Sequence, residues 1–197
     1  MFRRTLLASA FVFASSAAFA APVTYTIDPG HTQTIFSWNH FGYSNPTANF
    51  DKIEGTLVYD AADPSQSSVD VTIAIDSINS HVKKFDEHLK SDDFFDAAKF
   101  PTATFKSTKV EKGGSDGTYK VTGDLTIHGV TKSVTIDAKL NASNVHPMTK
   151  APAIGFDGSL SIKRSEFGIA KYVPNVSDEV SIRITTEAMG PKPAAAN

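Results

Sequence analysis

Apolar residues fall at every second position along most of this 197-residue chain, in runs broken by Gly, Asn, Asp and Pro. A period of two places the apolar side chains on one side of an extended strand and the polar ones on the other, so each run must find a surface to cover its apolar side. Val69, Val71, Ile73 and Ile75 alternate with Asp70, Thr72, Ala74 and Asp76. Val23, Tyr25 and Ile27 open the series, Phe36, Trp38 and His40 share one side of the next strand, and Ile53, Gly55, Leu57 and Tyr59 follow. Ala103, Phe105 and Ser107 make a weaker run.

The second half is more regular. Tyr119, Val121, Gly123, Leu125 and Ile127 lead through His128-Gly129 into Val130, Lys132, Val134, Ile136, Ala138 and Leu140, which predicts a long hairpin with a tight turn. Gly113 to Gly117 make a looser turn ahead of it. Ile154, Phe156, Gly158, Leu160 and Ile162 form another strand side that Arg164 continues, and Val180, Ile182, Ile184, Thr186 and Ala188 form the last. Between Ser77 and Pro101 the period turns helical, with Val82, Phe85 and Leu89 followed by Phe94 and Phe95, so a short helical insertion is expected over about residues 82–99, with Ser91 as an N-cap.

Long antiparallel strands with one apolar side each hide it between two sheets or inside a closed barrel. Strands of about ten residues are long for a sandwich, and closure removes exposed edges, so the expectation is an all-β, antiparallel closed barrel.

The first twenty residues have a separate role. Arg3 and Arg4 precede the apolar run Leu6 to Phe13, and Ala18-Phe19-Ala20 supplies small residues ahead of Ala21-Pro22, the pattern of a secretory signal peptide cleaved after Ala20. The expected domain spans 21–190, and the Pro- and Ala-rich tail 191–197 is expected to be disordered. With no second apolar run of spanning length, the expected compartment is the periplasm, without stable membrane insertion. Removal of the leader leaves 17 basic and 21 acidic side chains, a balance that gives no attraction to nucleic acid. The absence of cysteine excludes disulfides, thiolate metal sites and a cysteine nucleophile.

Catalytic motifs are thin. The six histidines show no metal-ligand spacing, and His81 and His88, even on one helix side, would stand two turns apart. No GxSxG occurs. The interior is the unusual feature. Phe36, Trp38, Phe50, Leu89, Phe94 and Phe95, with Phe105, Phe156 and Phe167, fall on inward strand sides or in the insertion, interspersed with Gly55, Ala103, Gly123, Ala138 and Gly158. Such small residues either leave volume or mark bends and close approach. Arg164 points inward at a strand end, where it meets a ligand head group or caps the barrel through backbone carbonyls, Glu166 or Asp178. His40 has the same two readings.

Several ordered segments together resemble the YceI-like family of exported, lipocalin-like polyisoprenoid-binding proteins. They are Tyr25-Thr26-Ile27-Asp28-Pro29-Gly30-His31-Thr32, His88 to Asp96 with Phe100-Pro101, Gly123 to Lys132, and Arg164-Ser165-Glu166-Phe167-Gly168. Thr32 stands where Ser is common and keeps the hydroxyl. The resemblance implies an eight-stranded barrel with an inserted helical segment, enclosing an apolar tunnel for an isoprenoid, quinone-like or fatty-acyl chain, and no fixed catalytic set. The expectation is a periplasmic carrier, not an enzyme, with no cofactor other than that lipid-like ligand and with a homodimer left open. The ligand-contacting candidates are the nine apolar residues named above with His40 and Arg164. An enzyme using His40 or His88 on a lipid or quinone, and a ligand-free structural barrel serving a stress response, are the alternatives.

Overall fold

The computed structural model describes residues 21–192. The expected signal peptide and the last five residues of the tail lie outside them, and Pro191 and Lys192 are exposed and irregular. Eleven strands follow in chain order. The first six are short: β1 (Val23–Ile27), β2 (Gln33–Ser37), β3 (Thr47–Phe50), β4 (Ile53–Tyr59), β5 (Ser68–Ala74) and β6 (Ile78–Asn79). After one helix, α1 (Lys83–Lys90), come the long ones: β7 (Thr102–Lys112), β8 (Thr118–Ile127), β9 (Val130–Val145), β10 (Pro152–Lys163) and β11 (Glu179–Met189).

All neighbours are antiparallel, and β1, β4, β5, β7, β8, β9, β10 and β11 close on themselves where β1 pairs with β11, Ile27 opposite Ala188. The other half of β11 pairs with β2, then β3, then β6. In this eight-stranded barrel, therefore, β2, β3 and β6 prolong the wall beside β1, β4 and β5. The break between β1 and β2 is held by Asp28, whose carboxylate accepts the Gly30 N–H at 2.8 Å and lies 2.8 Å from His31 Nδ1.

The weak run at Ala103 is an 11-residue strand. Its register shifts between Ser107 and Lys109, so the inward positions move from Ala103 and Phe105 to buried Val110, and the bulge breaks the alternation the eye follows. The β8–β9 turn is as expected: His128 and Gly129 both have positive φ, 53° and 74°, the two-residue turn that suits strand twist. A Cβ on Gly129 would stand 2.4 Å from the Phe100 ring.

The insertion is shorter than expected and differently capped. Only residues 83–90 are helical, and the rest through Lys99 is a series of turns. Ser91 closes the helix rather than opening a second one, its hydroxyl donating to the His88 carbonyl at 2.7 Å. His81 precedes the helix with a positive φ of 63°, so it shares no helix side with His88. Phe85 and Leu89, one turn apart, face the barrel; Phe85 packs on Trp38, ring centres 5.7 Å apart, and Leu89 is buried.

Two apolar clusters occupy opposite ends. One gathers Phe36, Trp38, Phe50, Ile53, Leu89 and their neighbours under α1; the other gathers Tyr25, Ile27, Ile154 and Ala188, with Leu57, Tyr59 and Phe156 packed on them.

Candidate functional site: a cavity through the barrel

Between these clusters the barrel holds a cavity of about 550 Å³, within the roughly 300–1,000 Å³ typical of small-molecule sites. Ile53 and Tyr59, at the two ends of β4, both border it, and at about 3.4 Å per residue with a strand tilt of about 40° this gives a length near 16 Å along the barrel axis. Its walls follow from the period of two: Val71 and Ile73 on β5 and Ile182 and Ile184 on β11 are successive inward positions, and Val121 and Leu125 on β8 flank inward Gly123.

All eleven candidate residues border this cavity, in unequal ways. Phe36, Trp38, Phe50 and Phe95 form a packed aromatic group at the α1 end, with Phe36 stacked on both Trp38 and Phe50, ring centres 5.7 and 5.4 Å apart. Phe105 and Phe167 are buried, Phe167 at 1% exposure, so they are as much core as lining. Phe94 stands beside Tyr172 and His88 at the mouth, and Phe156 lies at the far end. Strand β2 ends at Ser37, short of Trp38 and His40, which reach the cavity from the loop that follows.

The small residues divide. A Cβ on Gly55 would lie 2.3 Å from the Asp70 carbonyl, and one on Gly123 2.5 Å from the Lys106 carbonyl, so both mark close approach of strands. Gly158 and Ala138 instead border the cavity, as does Ala103. A Cβ on Gly158 meets only side chains, nearest Ile136 Cγ2 at 3.1 Å. Volume is left there, and not at the other two glycines.

Arg164 sits in a single 3-10 turn (Arg164–Phe167) after β10, 8% exposed. Its Nε donates to the Ser177 carbonyl at 2.9 Å, Nη1 to Ile169 at 2.9 Å and Nη2 to Val176 at 3.0 Å, so its main work is to fasten the loop 168–178 across the barrel end. Burial pushes the guanidinium pKa down, opposed by nearby Asp178, and arginine remains charged. Neither expected carboxylate binds it directly. Asp178 accepts the Ser165 N–H at 2.8 Å and its hydroxyl at 2.7 Å; burial pushes this carboxyl up, but those bonds and Arg164 outweigh it and hold it below the usual range.

At the same mouth Lys171 donates to Asp93 at 2.9 Å, tying the insertion to that loop. His88 Nε2 lies 3.8 Å from the other Asp93 oxygen, and His40 packs edge-on against Phe41. Among the described residues these contacts assemble no base paired with a nucleophile.

The candidate set also omits groups that the strand pattern contained. Tyr59 and Tyr119 lie on inward strand positions and border the far end of the cavity, their hydroxyl oxygens 2.9 Å apart. Burial, then the Tyr119 hydroxyl, push the Tyr59 phenol above its ordinary pKa. The signal was parity, available for every inward aliphatic residue and tyrosine; selecting phenylalanines passed over it. One further cluster, half-buried Asp28 with exposed His31 and Glu187, forms outside the barrel; its ligand atoms lie within 4.8 Å of one another.

The YceI-like domain family matches residues 25–188. A UPF0312 protein of Pseudomonas aeruginosa is 36% identical over 192 residues, covering 96% of this chain and 99% of its own. Protein YceI of Escherichia coli is 36% identical over 193 residues, covering 96% and 100%. Among solved structures, Burkholderia cenocepacia BcnA superposes with a TM-score of 0.74 at 28% identity, covering 82% of this chain and 99% of its own. The Campylobacter jejuni YCEI protein gives 0.70 at 33%, covering 78% and 90%. A polyisoprenoid binding domain from Saccharophagus degradans shares the fold, TM-score 0.66 at 16% identity, covering 86% and 99%.

Proposed function

Because this chain belongs to the YceI-like family, whose members share the barrel, we propose that it is an exported carrier that holds a long apolar chain inside that barrel. One observation carries the reading: a cavity of about 550 Å³, some 16 Å long, whose walls are mostly strand-borne aliphatic and aromatic side chains. Each buried methylene is worth about 0.8 kcal/mol, so ten give roughly 8 kcal/mol gross, about micromolar before ordering costs. The tail can therefore supply most of the affinity, whatever the head group. The binding named for the Saccharophagus degradans domain accords with an isoprenoid chain, and the same walls accept a quinone tail or a fatty acyl chain.

Export to the periplasm rests on the N-terminal pattern from Arg3 to Ala20. Protein recovered from a periplasmic fraction should begin at Ala21; recovery only in the cytoplasm with Met1 retained overturns the export reading. For the cavity, delipidated protein is titrated with straight-chain alcohols of increasing length. Affinity should rise about fourfold per added methylene until the barrel is filled and then level off. Affinity independent of chain length overturns the carrier.

A further inference from the structure

The far end of the cavity carries chemistry that its apolar walls do not. Tyr59, Tyr119 and Phe156 form a triangle of rings, with centres 6.0–6.2 Å apart and planes inclined by 71–89°. This packing brings the two phenolic oxygens together at 2.9 Å. Two hydroxyls hold two protons, and their mutual bond uses one. Whichever tyrosine donates, the other keeps an O–H for a further acceptor, and both residues border the cavity.

The surroundings define that acceptor. The lining side chains able to carry positive charge, Arg164, His40 and His88, all lie at the α1 end. Next to Tyr59, buried Asp60 accepts the N–H groups of Ala62 and Asp63 at 2.8 and 2.9 Å and so adds negative charge to this end. A carboxylate or phosphate there would give up part of its hydration and meet no lining cation in return. An uncharged oxygen would lose far less and gain the spare O–H. The phenol itself stays neutral, as the upward displacement of the Tyr59 pKa by burial requires.

We propose that the Tyr59–Tyr119 pair is a head-group site that donates a hydrogen bond to an uncharged oxygen acceptor, such as a quinone, ester or amide carbonyl, of a chain lying in the barrel. The site rests on the carrier reading above and assigns an orientation within it: neutral head group at the tyrosine end, tail toward α1. A chain ending in a charged group takes the reverse orientation, with its charge at the α1 mouth.

The test uses delipidated full-length mature protein and three probes of one chain length, methyl hexadecanoate, hexadecanoate and hexadecane, in competition with a fluorescent long-chain reporter at about pH 8, where the acid is ionised. In the Tyr59→Phe/Tyr119→Phe variant the ester should bind about three- to tenfold more weakly, the loss of one neutral hydrogen bond. Hexadecane and hexadecanoate should be unchanged. Tyr59→Phe alone leaves one hydroxyl with its proton free and should keep most of the ester affinity. Removing both hydroxyls together leaves no orphaned partner, so an unchanged denaturation midpoint is expected. Ester affinity unchanged in the double variant, or hexadecanoate weakened equally, overturns the site while leaving the carrier standing. Wild-type protein that binds none of the three overturns both.

Discussion

Gly158 gives the sharpest test of whether the barrel is hollow. It is buried in the extended backbone of β10, with Ala138 of β9 and Ile184 of β11 beside it. Its Cβ position is 3.1 Å from Ile136 Cγ2 and 3.5 Å from Ile184 Cβ, with no backbone atom among its near neighbours. In Gly158→Leu, four carbons enter the cavity. Their burial contributes about 2 kcal/mol, and replacing glycine in a strand adds about 0.5–1 kcal/mol. The tight Ile136 contact takes back up to about 1 kcal/mol through rotamer strain. Ligand-free protein should therefore gain about 1.5–3 kcal/mol. A ligand that loses room for about four methylenes should lose about 3 kcal/mol, a little over a hundredfold in Kd. Trp38, the single tryptophan, borders the cavity and reports the denaturant midpoint by its fluorescence, while displacement of a fluorescent fatty acid reports Kd. A packed interior gives the opposite signs: about 1–3 kcal/mol of destabilisation from overpacking. A lowered midpoint with unchanged Kd refutes the reasoning.

Two further predictions concern one end of the barrel and its outer wall. Arg164→Met orphans three carbonyls, two of them in buried hydrogen bonds, and should destabilise the fold by about 3 kcal/mol in denaturant titration; Arg164→Lys should not restore it, because an ammonium cannot reproduce the three-pronged geometry. Loss of binding at unchanged stability would instead make Arg164 a ligand contact. The Asp28–His31 pair predicts a pH dependence. Its hydrogen bond raises the His31 pKa above 6.5 and lowers that of Asp28 below 3.8. The histidine contribution to stability is thus fully present below pH 6.5 and lost as pH climbs through the raised folded value. The aspartate contribution is present above 3.8 and lost as pH falls through the lowered one. In Asp28→Asn the NMR titration midpoint of His31 should move back toward 6.5; an unmoved midpoint contradicts the pairing.

The long strands were legible wherever alternation ran unbroken. β8, β10 and β11 occupy nearly the stretches that the period of two marks, and β9 extends beyond its marked stretch to Val145. Across β7 the bulge at Ser107 to Lys109 conceals half of the strand. β3 and β6, of four and two residues, are too short to display a period at all. Local chemistry misled at Ser91, where a hydroxyl suited to opening a helix closes one by bonding backward to His88. The glycines could not be sorted from sequence because the distinction depends on which strand lies opposite: Gly55 and Gly123 abut backbone carbonyls, whereas Gly158 meets side chains and borders the cavity. Arg164 was correctly placed indoors, but its partners are carbonyls of a loop whose path no periodicity encodes. For the tyrosine pair the parity of each residue was visible and their meeting was not, since 60 residues separate them.

Native mass spectrometry of the protein, purified without detergent from an expressing cell, bears most directly on the carrier reading. The expected spectrum shows a second species heavier than the polypeptide by the mass of a long-chain apolar molecule, lost on organic extraction and regained on adding an isoprenoid or fatty acyl chain. A spectrum at the bare polypeptide mass, with no uptake of either chain by the extracted protein, contradicts it.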